Sequence, residues 1–530
     1  MEEENSRNLF GKDSYLRKEI KGRIENNLSG FLRCCLVGML VLLQILLLLI
    51  LPFFFQRYTV YFYTIVEFLS FFIILGLIND SRSPSFKIAW ISIALILPIT
   101  GHLMYILWGK SDSKKKIESK ILAMLRHGNS FLHEDKKVAE KFHQSNHLNI
   151  RMSRYLSLEG FPVFKNTQVT YYSMGEDAFE AIFEEIVKAK QFILLNFFIV
   201  AEGALWDRMH KLLQMKLTEG IKVYFMYDDF GATIRTNKHF RRELEAEGME
   251  VRVFNPIHKY MDKLYMNYRS HQKIVVVDGN VGFTGGFNLA DEYANLIERF
   301  GVWKDTGIRL EGDAVWGLTV IFFQMWEVCS KKEFIDYEKF YPTKKFPKND
   351  TYIHVISDGP ATKHWPIESI YHQMIMYANK YLYIMTPYLI IEQDMQDALI
   401  MAAQSGVDVR IITPNIPDKK NVKLLTNFNY GKLLEHHVKI YEYTPGFIHA
   451  KSIINDACGI VGTVNMDYRS FYLHYENAVW MYDKKIVDEI TKDFLDTVKQ
   501  SREISYEEWK KRSFKIKVWQ QILNLFSTLM

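Results

Sequence analysis

Cysteine is scarce in this 530-residue chain: Cys34 and Cys35 are adjacent in an apolar run, and Cys329 and Cys458 stand far apart. With no Cys-x-x-Cys pair and no Cys/His cluster at zinc spacing, neither a disulfide framework nor a structural metal is expected. Charge of one sign is lacking as well. Lys and Arg number 66 against 61 Asp and Glu, a formal net charge of +5. That balance does not argue for a nucleic-acid partner, and none is expected. Low-complexity stretches are missing too. With 28 Gly, 13 Pro and 15% aromatics, disorder and collagen-like repeats are excluded as the main theme.

What is plentiful is apolar sequence, and it is unevenly spread. Three long apolar runs fall within residues 31–108, while the remainder has room for two or three soluble domains of roughly 100–200 residues each. Residues 34–55 contain Gln44 as their one polar member, residues 58–78 contain Glu67, and residues 88–108 contain Pro98, Gly101 and His102. A bilayer span needs about 20 apolar residues, so a multi-pass membrane region is expected here. Tyr58, Tyr61, Tyr63, Tyr105 and Trp108 lie near the run ends, where aromatic belts form. The first run starts late and is too long for a signal peptide. Glu67 is expected to face a neighbouring helix, and His102 to sit by a Pro/Gly kink. Residues 1–30 carry six Lys/Arg and residues 109–120 carry five Lys. The positive-inside rule puts both flanks in the cytoplasm, which needs an even number of crossings. One of the three runs is therefore expected to be re-entrant or shallow.

From about residue 165, short β-rich runs alternate with helical ones. Strands are expected at 192–200, 222–227, 251–254, 273–277 and 281–284, and again at 381–386, 407–413, 438–443, 451–454 and 459–462. Helices are expected at 178–189, 206–218, 368–379 and 395–404. The alternation predicts a layered α/β fold with a largely parallel sheet. The halves also repeat: His271, Lys273 and Asp278 form an H-x-K-x4-D pattern that recurs as His449, Lys451 and Asp456, an offset of 178 residues. Each is followed by a turn and a Gly-x-x-Asn element, Gly285 to Asn288 and Gly462 to Asn465, the latter with Thr463.

Residues i and i+2 of a strand share a face, so His271 projects with Lys273 and His449 with Lys451. If the halves pack about a pseudo-twofold axis, two imidazoles, two ammonium groups and the amides of Asn288 and Asn465 meet in one cleft. That is an anion site holding a nucleophile and an acid, and a phosphodiester fits it. Lysines and amides stabilise the equatorial oxygens, one His attacks phosphorus and the other protonates the leaving alkoxide. No metal or other cofactor is implied, since two lysines supply the charge a metal supplies elsewhere. One H-x-K on a strand is usually an exposed face; two copies in matched context are specific. Asp278 and Asp456 belong to the motif, but their strand-end position suggests a structural role.

At these residues the sequence resembles the phospholipase D superfamily, and within it the bacterial cardiolipin synthases, over almost the whole chain. The resemblance is carried by the stretch from Asn267 through His271 to Tyr293, by Trp303 to Asp305, by Thr386 to Tyr388, by Pro414 to Lys420 and by Gly462 to Ser470. Trp90 to Pro98 and Gly101 to Gly109 resemble the family's membrane module. It implies two pseudo-symmetric phospholipase D-like α/β/α domains sharing one active site, preceded by a helical transmembrane segment in a bacterial cell membrane. The organisation implied is a 1–30 tail, the 31–108 membrane region, a polar connector at 109–165, halves at 166–345 and 346–508, and a basic amphipathic tail at 509–530. It implies transfer of a phosphatidyl group between two phosphatidylglycerol molecules, giving cardiolipin and glycerol through a phosphatidyl-histidine. His271 would be the nucleophile and His449 the acid, then the base, an assignment open to exchange. Lys273, Lys451, Asn288 and Asn465 would bind phosphate, with Gly285, Gly462 and Thr463 lining that site, and Asp305 and Glu476 would orient the imidazoles. Gly286 stands where many relatives have Ser, and the second hairpin turn is one residue short. The alternative is a phospholipase D-type phosphodiesterase, a lipid hydrolase or nuclease; the membrane runs favour lipid.

Other features carry bland readings. His143 and His147, four apart, lack further metal motif residues. His436 and His437 are read as structural, and Asp228 and Asp229 as a helix cap or cleft edge. The tail from Trp509 is either an interfacial helix or one packed on its own domain.

Overall fold

Runs of β-branched and aromatic residues form the strands, and they assemble into one mixed sheet per half. The computed structural model describes residues 38–529 apart from 47–49, 51–52, 54–55, 81, 110–114, 146–148, 257–267, 331–333, 345 and 363. The 1–30 tail, Cys34, Cys35, His147 and Asn267 lie outside the described residues. In the first half the strands are β1 (Thr167–Tyr172), β2 (Phe192–Phe197), β3 (Lys222–Asp228), β4 (Glu250–Phe254), β5 (Arg269–Ser270), β6 (Ile274–Val277), β7 (Val281–Gly285), β8 (Val302–Lys304) and β9 (Gly307–Gly312). Seven of them make a sheet in the order β1-β9-β7-β6-β2-β3-β4. The second half has β10 (Tyr352–Asp358), β11 (Tyr381–Met385), β12 (Asp408–Pro414), β13 (Lys439–Tyr443), β14 (Gly446–Ile448), β15 (Ser452–Asn455), β16 (Gly459–Gly462), β17 (His474–Tyr482) and β18 (Ser501–Ile504). Its sheet runs β10-β17-β16-β15-β11-β12-β13-β18, extended by Val163–Phe164 beside β10 and by β5 beside β17.

The expectation of largely parallel sheets is overturned. Within the main sheet of each half, the strands of that half that pair in parallel are β2-β3-β4 and β11-β12-β13. The motif strands β6 and β15 sit in hairpins with β7 and β16, and a hairpin requires antiparallel pairing. Five further antiparallel members, β1, β9, β10, β17 and β18, were not legible from periodicity.

The membrane region is less regular than three equal runs. Helix α1 (Gln56–Ile78) contains Tyr58–Ile78, apolar, almost unburied and long enough to cross a bilayer, and it alone is so among the described residues. The run at 88–108 is broken. Helix α2 (Pro84–Ile96) stops ahead of Pro98, which can neither donate a helix hydrogen bond nor follow an α-conformation easily. A short helix, Thr100–Met104, then turns off so tightly that a Cβ on Gly101 would stand 2.4 Å from the Ile93 carbonyl oxygen. His102 is buried at this bend, while Gln44 of the first run accepts the Thr100 N–H at 2.8 Å. Glu67, expected against a neighbouring helix, is instead exposed on α1, because α1 packs on α2 only near its C-terminal end, through Ile73 and Leu77. The module joins the body where Phe86, Trp90 and Tyr105 pack with Tyr468, and where Ser85 Oγ donates to Glu392 at 2.8 Å.

Helices α3 (Gly175–Lys188) and α4 (Ala204–Thr218) cover one face of the first sheet. Between the two sheets lie α5 (Val315–Cys329) and, further along the chain, α9 (Lys484–Lys499), in one core shared by both halves. The sequence of α5 is apolar on most of its surface, as suits a helix buried on nearly every side, with Gln324 and Glu327 among its buried polar exceptions. On the far face of the second sheet are α6 (Pro366–Met376), α7 (Gln393–Gln404) and α8 (Lys420–Glu435). Helix α10 (Phe514–Leu525) closes the chain against α8 and α2.

Candidate active site

The two halves are sewn together at the strands that precede the motif histidines. β5 pairs in parallel with β17, and β14 with β8. The His271 N–H donates to the Tyr475 carbonyl at 2.8 Å, and the His449 N–H to the Lys304 carbonyl at 2.7 Å. Each acceptor immediately precedes a carboxylate residue of the opposite half. His271 Nδ1 therefore meets Glu476 at 2.9 and 3.0 Å, and His449 Nδ1 meets Asp305 at 2.6 Å. A proton on Nδ1 shared with a carboxylate leaves the Nε2 lone pair of each ring free to act. Both carboxylates are fully buried. Burial pushes Asp305 up to about 7 against the pull of Lys451.

The lysines reach the same cleft. Lys273 Nζ donates to the His271 carbonyl at 2.6 Å, and Lys451 Nζ to the His449 carbonyl. Lys451 Nζ also lies 2.8 Å from His449 Nδ1. Burial drives Lys273 down to about 7 and Lys451 to about 8. Burial also holds both imidazoles well below their ordinary range, helped by the two lysines and by Lys419 at the cleft edge. Two neutral imidazoles beside two lysines that are ammonium groups below these values make a site that favours an anion.

The remaining expected residues divide. Asn465 is buried at the site with its Oδ1 unpartnered, whereas Asn288 accepts the Ile199 N–H at 3.0 Å and so also braces a loop. Thr463 spends its hydroxyl on Glu476 and not on open cleft. Gly285 and Gly462 sit where strands touch: a Cβ would stand 2.4 Å from the Thr306 carbonyl oxygen and 2.5 Å from that of Asn477. Their role is close approach. Asp278 and Asp456 lie at the far ends of β6 and β15, roughly 23 Å along an extended chain from the imidazoles at ~3.3 Å per residue. Asp278 accepts the N–H groups of Lys190, Gln191 and Phe192 at 2.8, 2.8 and 3.0 Å. Asp456 accepts those of Asn379 and Lys380 at 2.8 and 3.0 Å. Each fastens the start of the neighbouring strand, in keeping with the structural role that their strand-end position suggests. The short second turn is absorbed there too. The first hairpin closes over 278–280 after the pair Val277 and Val281, the second over 456–457 after Asn455 and Cys458.

Sequence reasoning missed His474. It stands two residues before Glu476 on β17, the same i, i+2 signal that marks His-x-Lys. Its ring lies 5.5 Å from that of His271 and its Nδ1 3.8 Å from Glu476. Phe198 sets its edge against His271 at 5.1 Å, and Tyr293 against His449 at 5.3 Å. Asp228 is a cap, accepting the N–H of Phe230 at 2.8 Å and of Ser270 at 2.9 Å, which fixes β5 just ahead of His271.

A family profile described as "Cardiolipin synthase, PLD-like domain" matches residues 182–305 and 371–498, and "Phospholipase_D-nuclease N-terminal" matches 68–110. The chain is 33% identical to a cardiolipin synthase of Listeria welshimeri over 467 residues, 87% of this chain and 97% of that one. It is 39% identical to an uncharacterized protein of Streptococcus mutans over 466 residues, 86% of this chain and 99% of that one. Among solved structures, the phosphatidylserine synthase of Haemophilus influenzae aligns with a TM-score of 0.55 at 15% identity, covering 72% of this chain and 98% of that one, a likeness of fold.

Proposed function

Since the chain belongs to the phospholipase D-like cardiolipin synthase family, we propose how its two histidines divide the work of the phosphatidyl transfer. The protein is a membrane-associated phosphatidyltransferase that makes cardiolipin from phospholipid. In our reading both donor and acceptor are phosphatidylglycerol. The observation that carries it is the crossed pairing: each buried imidazole is oriented by the carboxylate of the other half, with a lysine beside each.

His271 Nε2 attacks phosphorus of the first phosphatidylglycerol. The bond to the headgroup glycerol breaks, His449 gives that oxygen a proton, and a phosphatidyl group remains on His271. Burial and then the lysine charges depress the imidazoles; the arriving anionic phosphodiester offsets the lysine part and so favours a proton on His449. His449 then takes a proton from a headgroup hydroxyl of the second phosphatidylglycerol. That oxygen attacks phosphorus, the N–P bond breaks, and cardiolipin leaves. Lys273, Lys451 and Asn465 stabilise the charge on the equatorial oxygens. Within the cell membrane we read α1 as a crossing, with the broken run at 88–108 lying shallow; a second crossing, expected from the apolar sequence at 34–55, lies partly outside the described residues and would make both basic flanks cytoplasmic.

Detergent-purified protein given phosphatidylglycerol alone, with EDTA present, is expected to release cardiolipin and glycerol. Its His271→Ala counterpart is expected to lose at least about 10³-fold in rate. Phosphatidic acid as the sole product would make the protein a hydrolase. No turnover by a folded sample would overturn the substrate.

A further inference from the structure

A surface helix normally turns its apolar stripe inward and its polar side to water. Helix α10 departs from this, leaving most of its apolar residues exposed. Its inward contacts are Gln520 and Leu523, both buried; Gln520 donates to the Leu424 carbonyl at 2.9 Å and accepts from Arg512 at 2.5 Å. Its outward side carries Phe514, Val518, Trp519 and Ile522, with exposures of 80, 38, 46 and 44%. At 100° per residue these four fall within an arc of about 140°. From Trp509 to the end the chain has five basic residues and no acidic one. Lys510, Lys511, Lys515 and Lys517 are all exposed. Lys515 lies inside the apolar arc, where its long stem can carry the ammonium group outward.

The position of this helix matters as much as its composition. It contacts α2, which follows the bilayer-crossing α1 and exposes Ile88, Leu95 and Ile96. It also packs on α8, whose N-terminal neighbour Lys419 acts on both motif histidines. Exposed apolar residues thus occur on α1, α2 and α10, and α10 meets α8 at Leu424, five residues from Lys419.

We propose that α10 is an interfacial membrane helix, a second lipid contact that lies in the headgroup region of an anionic bilayer and holds the cleft mouth at that surface. The occupant of its outer face is lipid: the apolar arc meets acyl chains, and the lysines meet anionic headgroups. This rests on the reading of the chain as a membrane enzyme.

The test uses the full chain in nanodiscs of phosphatidylcholine with phosphatidylserine, which keeps phosphatidylglycerol out of the cleft. Lipids brominated near the headgroup end of the acyl chain quench tryptophans seated there. The chain has 10 Trp, so the Trp519 component is the difference between the parent and Trp519→Phe. That component is expected to be quenched by about half or more, and released in pure phosphatidylcholine or in about 0.5 M salt. An unquenched Trp519 overturns the proposal, as does a Trp519 buried only as the chain self-associates, which would make the occupant a second copy. In the kinetic arm, Phe514→Asp/Ile522→Asp is expected to raise KM for vesicle phosphatidylglycerol by about 5-fold or more. Turnover of a monomeric short-chain analogue should not change. Equal KM values overturn it. If the parent makes no cardiolipin, the proposed reaction fails while the quenching still decides the helix.

Discussion

The sharpest asymmetry of the site is a single residue. In the second half Thr463 donates its hydroxyl to Glu476, the partner of His271. Its counterpart in the first half is Gly286, and there is no room for anything larger: a Cβ would stand 2.0 Å from Asp305 Oδ1 and 2.9 Å from the His449 carbonyl oxygen. The loss of a hydroxyl that the sequence suggests at Gly286 is thus a steric matter in which the carboxylate has moved into the side chain's place. Gly286→Ala must push Asp305 off His449 Nδ1. The imidazole then loses the partner that fixes its tautomer, which in a His-carboxylate pair is worth about 10²- to 10⁴-fold in rate. Gly286→Ala is therefore expected to lower kcat by at least about 10²-fold while the protein stays folded. Full activity in this variant would mean that Asp305 does not orient His449. The residue types of the site were legible because H-x-K repeats at a strand spacing. His474 escaped although it obeys the same spacing, since it occurs once and the repeat was the signal.

At the scale of elements, the motif aspartates explain why two hairpins survive different turn lengths. Asp278 sits at φ +52° and gathers three backbone donors at the start of β2, so the hairpin is locked to its neighbour and not merely closed on itself. Asp278→Ala leaves those donors to water or to nothing and places Ala in the left-handed region. The expected cost is about 2–4 kcal/mol. Asp278→Asn keeps one acceptor oxygen and tolerates the backbone, so about 1 kcal/mol is expected. Denaturant midpoints would rank the parent above Asn and Asn above Ala, with kcat of the folded fraction unchanged; a loss of kcat without loss of stability would return Asp278 to the chemistry. The strands invisible in the sequence are instructive here. β17 reads His474-Tyr-Glu476-Asn-Ala and is buried almost throughout. The polar residues of its first half face inward because they serve the opposite half, so His474 to Asn477 show neither alternation nor an apolar run, and the apolar run Ala478–Tyr482 marks its second half alone. Likewise, pairing direction is a property of partners, and periodicity within one strand is silent about it.

Across the whole molecule the decisive fact is that neither half owns its site. His271 takes its carboxylate from the second half and His449 from the first. The repeat in the sequence implied convergence, but the crossing of partners arises only from β5 on β17 and β14 on β8, contacts between segments some 150 to 200 residues apart. The same convergence brings one lysine from each half into a common buried cleft. Burial lowers Lys273 to about 7 and Lys451 to about 8, and Lys451 adds to the lowering at Lys273. Phosphate binding needs both as ammonium groups. They are charged below these values and lose their protons as pH rises through them, so the free enzyme should lose affinity for phosphodiester on the alkaline side. kcat/KM reports free-enzyme ionisations and kcat those of the complex. In the complex the bound anion stabilises the ammonium groups and raises their pKa. The expected profile is therefore a fall in kcat/KM as pH rises from about 7 to above 8, with the matching fall in kcat displaced to higher pH. Initial rates on phosphatidylglycerol over this range decide it. A kcat/KM flat through the interval would mean that the two lysines stay fully charged in the empty cleft, and that convergence of the halves does not tune them.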